Sequence, residues 1–299
     1  MLDESAVNKQ IASADQMLSG ALDREHYFDC GRSALACIQK ALATASIPPM
    51  RIKRILDLPC GHGRVLRYLK AAFPEAEIAA CDLLRDGVDF CASTFEATAL
   101  YSSDEPEAIP LEPGSFDLIW VGSLFTHLDA PLWSRFLAVL RNALTPGGLL
   151  VFSTHGRDTY QRVLGGVWDN HLSYRRRTMM LYRYERTGFG YAKYLGSEGY
   201  YGLSLSHPAW VTRRLTALGG LRLVSLSETS WDDSHDVFAS VRVPDSAGDM
   251  RRTSASKYLR HIALERMNPS FRSGLEKIWR MWQGSASRLS RARHSRQTS

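Results

Sequence analysis

No stretch of the 299-residue chain offers the ~18 to 20 uninterrupted apolar residues that a membrane-spanning helix requires. Its first residues, Met1-Leu2-Asp3-Glu4, are acidic where a secretory leader would be basic and then apolar, so a cytoplasmic location is expected. Cysteine is sparse. The five, Cys30, Cys37, Cys60, Cys81 and Cys91, are odd in number and contain no Cys-x-x-Cys pair, which speaks against a disulfide framework and against a zinc knuckle. They read as reduced, mostly buried thiols. What is present is ordinary for a folded soluble protein: 44% hydrophobic and 23% charged residues, with seven Trp and 11 Phe. The length reaches the ~250 to 300 residues at which a single core stops growing, which predicts one large domain with appendages or two domains.

The net charge of +6 is unevenly placed: residues 251–299 carry 12 Lys and Arg against only Glu265 and Glu276, a local +10, which leaves residues 1–250 at −4. A basic end of this kind can make weak contact with an anionic surface, nucleic acid or an acidic partner, or simply be well solvated. Three blocks follow: an N-terminal helical segment over 1–49, a central domain over 50–250, and a basic helical extension over 251–299 with a disordered end.

Within the central block, short apolar runs alternate with helical-period segments, the pattern of a parallel sheet with crossover helices. The runs Lys53–Leu58, Glu77–Cys81, Ala97–Tyr101, Phe116–Val121 and Gly148–Ser153 predict five strands. Arg64–Ala72, Gly87–Phe95 and Pro131–Leu144 predict the helices between them, with Pro146-Gly147-Gly148 turning the chain after the last. Upstream, residues 5–45 read as helices laid across the top or edge of the sheet, with Ala34, Ile38 and Leu42 at spacing four. Downstream, a helix over Ala209–Leu218 precedes two further strands, Leu221–Leu226 and Val237–Val243, as a hairpin at the sheet edge with the polar stretch Glu228–His235 between them. Residues 156–206 break the alternation. Eight of the 12 tyrosines fall there, together with Arg175-Arg176-Arg177, so the segment reads as a cap insertion rather than a connector.

The most informative stretch is Ile55-Leu56-Asp57-Leu58-Pro59-Cys60-Gly61-His62-Gly63-Arg64-Val65-Leu66. An apolar strand ends in an acid, and two glycines one residue apart then open a helix, where backbone can approach a ligand closely. Asp82 closes the second strand 25 residues after Asp57, where a carboxylate can accept both hydroxyls of a ribose, and Asp117 lies at the start of the fourth. This constellation resembles the class I S-adenosylmethionine-dependent methyltransferases, over residues 53–154 and more loosely over the hairpin at 221–243. The resemblance implies a doubly wound, Rossmann-like α/β fold with a seven-strand sheet whose seventh strand is antiparallel. Pro59 departs from the family, standing where its first glycine is usual. The implied cofactor is S-adenosyl-L-methionine: Asp57, Pro59, Cys60, Gly61 and Gly63 would surround its methionine moiety, Asp82 its ribose and Leu83 one adenine face. Asp104, with Glu105 beside it as the alternative, would meet the adenine amino group, and Gly122 and Ser123 would line the floor near the sulfonium.

A dinucleotide-dependent oxidoreductase would place a small residue three positions after Gly63, and Leu66 stands there. The pair Asp169-Asn170 is similar to one in magnesium-dependent catechol-type methyltransferases, but Gly122-Ser123 lacks the aspartate such a metal also needs, so none is expected. Val121-Gly122-Ser123-Leu124 is not the Asn/Asp-Pro-Pro-aromatic motif of base-amino methyltransferases. Methyl transfer to a hydroxyl calls for a base near the strands' carboxyl ends, which selects His127 and His155; His62, inside the glycine loop, reads as orienting that loop. The acceptor expected from the tyrosine-rich cap is a small molecule or a sugar or glycan bearing a polar ring. The competing expectation from another class is a catalytically silent scaffold that keeps the cofactor fold and docks through its basic end.

Overall fold

The computed structural model describes residues 3–18, 24–168, 172–196 and 201–243. The pair Asp169-Asn170, Tyr200 and the whole basic extension lie outside the described residues. Two 3-10 turns, Glu4–Ala6 and Gln16–Leu18, precede helix α1 (Arg24–Ala45). The alternation then runs β1 (Arg54–Asp57), α2 (Leu66–Ala72), β2 (Glu77–Asp82), α3 (Arg85–Phe95), β3 (Thr98–Tyr101), β4 (Phe116–Val121), α4 (Ala130–Ala143) and β5 (Leu144–His155). After it come α5 (Arg157–Leu164), α6 (Tyr174–Thr187), β6 (Phe189–Lys193), β7 (Gly202–Ser206), α7 (Pro208–Leu218), β8 (Leu221–Trp231) and β9 (His235–Arg242).

Seven strands form one sheet in the order β3-β2-β1-β4-β5-β9-β8. The pairs among β1 to β5 are parallel, whereas β9 runs antiparallel to both β5 and β8. This is the doubly wound, Rossmann-like sheet with one reversed strand. Its central strands are apolar on successive residues, as a sheet covered on both faces must be: Ile55 and Leu56, Leu118 to Val121 and Leu149 to Phe152 are all buried. Helices α1, α2 and α3 cover one face through Tyr27, Ile38, Leu42, Leu66, Leu69 and Val88. On the opposite face, α4 and α7 pack Trp133, Phe136, Leu140, Trp210 and Leu215.

Two expectations are corrected and one is made specific. Helix α1 packs on one face of the sheet towards its β8 edge: Ala34, Ile38 and Leu42 are buried in the core on that face, and Cys37 and Lys40 hydrogen-bond to Ser230 and Ser227 of the edge strand β8. Pro146-Gly147-Gly148 lies within β5, not between a helix and a strand. Phe116 pairs with Leu144 but Leu118 with Leu149, so the turn residues are absorbed as a bulge, with Gly147 at a φ of +82°. The stretch Glu228–His235 is mostly strand, because β8 continues to Trp231 and the reversal is confined to Asp232, Asp233 and Ser234. Asp232 and Asp233 both take left-handed φ, +49° and +52°, which suits the right-handed twist of a tight hairpin.

The insertion after β5 has a small core of its own: Val163, Leu172, Met180, Leu181, Tyr184, Ala192, Leu203 and Leu205. Helix α6 starts at the Ser173 hydroxyl, which accepts the Arg176 N–H, and stops at Gly188. The antiparallel pair β6–β7 then returns the chain to the sheet, where Phe189 stacks on Trp210 at 4.4 Å. Among the described residues no helix is long and apolar enough to cross a membrane.

Candidate active site at the strand ends

The carboxyl ends of β1, β2, β4 and β5 converge on one end of the sheet, where open α/β sheets place their ligands. At the end of β1, Asp57 is 1% exposed, and neither carboxylate oxygen has a hydrogen-bond partner among the described residues. Burial, reinforced by the charge of Asp82, holds its carboxyl well above the ordinary range, against a smaller opposing effect of Arg64. A buried carboxylate without a donor is costly unless a ligand supplies one. The loop that follows is closed by two backbone bonds, Cys60 N–H to the Cys81 carbonyl at 3.0 Å and Gly63 N–H to the Cys60 carbonyl at 2.9 Å.

The two glycines of this loop do different things. Gly61, at φ +50°, faces open space: an added Cβ would meet nothing within 4 Å, so this is where a ligand can lie against backbone. Gly63, at φ +79°, is turned into the core, where an added Cβ would come within 2.4 Å of the Phe95 ring. Only glycine fits there, because α3 crosses directly behind it. His62 is buried between Asp86, at 3.3 Å, and Asp15, at 3.8 Å, in keeping with a loop-orienting role.

Asp82 is more occupied than its ribose assignment implies. Its Oδ2 accepts the Gly61 N–H at 2.8 Å and its Oδ1 accepts the Leu84 N–H at 2.9 Å, so one carboxylate fixes both the glycine loop and the turn after β2. Each oxygen keeps a further lone pair for a ligand hydroxyl. Leu83, 57% exposed, stands at the rim of the same end. Of the two acids after β3, Glu105 is engaged by Arg135 in an exposed ion pair, which favours Asp104 for contact with a ring amino group.

Sequence reading missed Arg67. It is buried, its Nε donates to the Gly63 carbonyl at 2.9 Å, and its guanidinium also reaches the carbonyls of Asn8 and Gln10 and the Tyr27 hydroxyl. Tyr27 in turn donates to Asp15 at 2.7 Å. The N-terminal segment is thereby stitched to the back of the glycine loop. Arginine in the first turn of a helix carries no mark of a role in a sequence, and only burial distinguishes this one.

At the end of β4, Gly122 packs against Trp120 and Trp231, and Ser123 takes a left-handed φ of +63°, its N–H donating to the Ser153 hydroxyl at 2.8 Å. His127 is tied to the insertion. Its Nδ1 meets the Gly202 carbonyl at 2.8 Å, and since a carbonyl only accepts, Nδ1 carries the proton. Nε2 then accepts from the Tyr201 hydroxyl at 3.3 Å, with the two rings stacked at 4.4 Å.

His155, at the end of β5, stacks on His235 at 4.7 Å and meets the edge of Trp168 at 5.1 Å. Among the described residues its Nδ1 has no hydrogen-bond partner, nor has either ring nitrogen of His235. Burial pushes His155 well below the ordinary imidazole range, helped by His235 and His127, and pushes His235 down to about 4. Both rings are therefore neutral, with buried lone pairs that no described residue uses. His235 could not be found from the sequence, because only the antiparallel pairing of β9 with β5 sets residue 235 beside residue 155.

A nucleotide-type loop, an acid on each of the first two strands and a reversed last strand define a Rossmann-like cofactor domain. Residues 55–148 match the family model described as a methyltransferase domain, and this part of the chain is a class I S-adenosylmethionine-dependent methyltransferase domain. Among curated relatives, the malonyl-[acyl-carrier protein] O-methyltransferase of Halalkalibacterium halodurans is 33% identical over 113 residues, 36% of this chain and 41% of that protein. The fatty-acid O-methyltransferase of Mycolicibacterium smegmatis is 30% identical over 124 residues, 41% of this chain and 44% of that protein. The chain thus spans about two fifths of the length of the curated relatives it matches. A solved S-adenosylmethionine-dependent methyltransferase from Clostridium acetobutylicum, 13% identical, aligns over 77% of this chain and 96% of its own with a TM-score of 0.49.

S-adenosylmethionine, the cofactor of such domains, fits the residues present. The unpartnered Asp57 carboxylate suits its ammonium group, Gly61 leaves room for its backbone-like moiety, and Asp82 retains acceptor capacity for ribose. Binding a cation beside Asp57 favours the ionised carboxylate, so cofactor binding should release a proton and tighten as pH rises. Calorimetry in two buffers of different ionisation enthalpy measures this release, and Asp57→Asn should abolish it. Equal proton release by wild type and Asp57→Asn would remove Asp57 from the methionine site.

Proposed function

We propose that this protein transfers a methyl group from S-adenosylmethionine to a hydroxyl oxygen of a small molecule or sugar-type acceptor seated under the insertion at 156–206. The cofactor supplies an electrophilic methyl on a sulfonium. The chain's own contribution is to hold the acceptor in line, exclude water and take the hydroxyl proton. Asp57, Pro59, Cys60 and Gly61 border the methionine end, with Gly63 packing behind them, Asp82, Leu83 and Asp104 serve the nucleoside, and Gly122 and Ser123 form the floor between cofactor and acceptor.

The single observation that carries the hydroxyl reading is the pair His155 and His235. Buried and neutral, they present lone pairs that accept a proton, and they do not present the positive charge that would hold a carboxylate. His155 is the base in this reading, and His127 is a positioning residue whose Nε2 is already taken by Tyr201. The relatives' names include both a carboxyl-bearing acyl acceptor and fatty acids. Those acceptors are the alternative against which the assignment is tested.

The test is transfer from methyl-labelled cofactor by the full chain to a panel of phenols, sugars and acyl carboxylates. Ether formation on a ring hydroxyl supports the proposal. Methyl esters as the only products would overturn it, and absence of cofactor binding would favour the silent-scaffold reading.

A further inference from the structure

Outside this site, His26, Cys30 and Asp232 bring three donor atoms of different chemistry to one point. His26 and Cys30 stand four residues apart on α1, hence on one face of the helix, and Asp232 comes from the β8–β9 turn 202 residues further along the chain from Cys30. Cys30 Sγ lies 2.9 Å from Asp232 Oδ1 and 3.3 Å from His26 Nε2, and that nitrogen lies 3.1 Å from the same carboxylate oxygen. As hydrogen bonds, the Cys30 thiol and the His26 Nε2–H both donate to the one Asp232 oxygen, which also brings Sγ and Nε2 to 3.3 Å of each other; the three atoms then form the triangle of a metal donor set.

We propose that His26, Cys30 and Asp232 bind a zinc ion that ties α1 to the β8–β9 turn. An imidazole nitrogen, a thiolate and a carboxylate are the donors zinc takes, at roughly 2.0 to 2.3 Å. Tetrahedral bonds of that length separate donors by roughly 3.3 to 3.8 Å, so the observed triangle needs to open by about 0.2 to 0.3 Å on its two nitrogen edges and by about 0.6 Å between Sγ and the carboxylate oxygen. Cys30 gives its proton to solvent on binding, and thiolate and carboxylate together neutralise the divalent charge. The fourth position is left to water: Cys30 is buried, but the side chains of His26 and Asp232 are 35% and 22% exposed.

The surroundings hold the donors in place. Asp232 is presented by the left-handed turn, and the neighbouring Trp231 indole donates to the Cys30 carbonyl at 2.9 Å. Trp231 also packs on Trp120 and His235, so the ion would brace the hairpin that carries His235. This proposal is independent of the acceptor reading. It also departs from the sequence expectation of a chain without zinc, which considered only cysteine pairs.

The experiment uses the full chain, free of any affinity tag, stripped with chelator and reloaded. Zinc binding is measured by competition with a chromophoric chelator, and cobalt substitution is followed by its thiolate-to-metal charge-transfer absorption. Wild type should bind one equivalent, melt at higher temperature with zinc than without, and show the charge-transfer band. Cys30→Ser should lose the band, and His26→Gln, at a half-exposed helix position where folding is not at risk, should weaken zinc at least about tenfold. Cys37→Ser should retain both. Equal zinc affinity in wild type and His26→Gln, or a band that survives Cys30→Ser, overturns the site.

Discussion

Asp82→Ala is expected to weaken S-adenosylmethionine binding by about 3 kcal/mol or more, about 100-fold or more in affinity. Two losses combine. A charged acceptor for the ribose hydroxyls disappears, worth about 1.5 to 3 kcal/mol, and the N–H groups of Gly61 and Leu84 lose the carboxylate that fixes their loops. The cradle itself therefore loosens, which a substitution at the rim cannot do. Glu105→Ala removes an exposed ion pair with Arg135 and should change affinity by less than about 1 kcal/mol. Isothermal titration of both variants with the cofactor decides the matter. A loss under about tenfold for Asp82→Ala would show that the loop holds without its carboxylate and that ribose is bound elsewhere.

The second large effect is on turnover. His155→Ala should lower kcat by about 10²- to 10⁴-fold, the range for removal of a general base, while leaving cofactor affinity within about twofold. Because burial holds the His155 pKa well below its ordinary value, the base is unprotonated through neutrality. At saturating cofactor the wild-type kcat should accordingly stay flat as pH falls from about 8 to about 6, where an unperturbed histidine would already be losing activity. Stability sets the lower limit. His235 has its folded pKa pushed down to about 4. An unfolded histidine at about 6.5 binds more protons than the folded one between those values, so stability is full above that window and is lost as pH falls through it. Rates in acid must be normalised to the folded fraction, measured by circular dichroism on the same samples. Full turnover by His155→Ala would transfer the base role to His127, with Tyr201→Phe as the variant that then separates the two.

The insertion cannot be tested by simple deletion. Phe189 is part of the core under α7, and β7 is bonded to the loop after β4 through the Ser204 hydroxyl and the Phe125 carbonyl at 2.8 Å. Removing residues 160–200 would take Phe189 and β6 with it and open that core, so point substitutions at Tyr194 and Tyr201 are the usable probes of an acceptor pocket.

The cofactor family was legible because its signal is local. Asp57, Gly61 and Gly63 fall within seven residues, and the Asp57 to Asp82 spacing is one crossover unit. The same locality explains where the reading failed. Gly61 and Gly63 look equivalent in a Gly-x-Gly pair, and only the passage of Phe95 behind Gly63 shows that a Cβ is excluded there by packing and at Gly61 is not. Arg67, His235 and the convergence of His26 and Cys30 on Asp232 carry no local mark at all.

By itself the sequence determined the parallel strands β1 to β5, their crossover helices and the loop chemistry, because hydrophobic period and turn residues act over the length of a single element. The tertiary structure alone decided which face α1 covers, which loop glycine is packed against the core and which histidines share a buried environment. Those outcomes depend on pairings such as His155 with His235 and Cys30 with Asp232, between residues 80 and 202 positions apart. Contacts of that separation are fixed by the closing of the sheet and leave no periodicity in the chain.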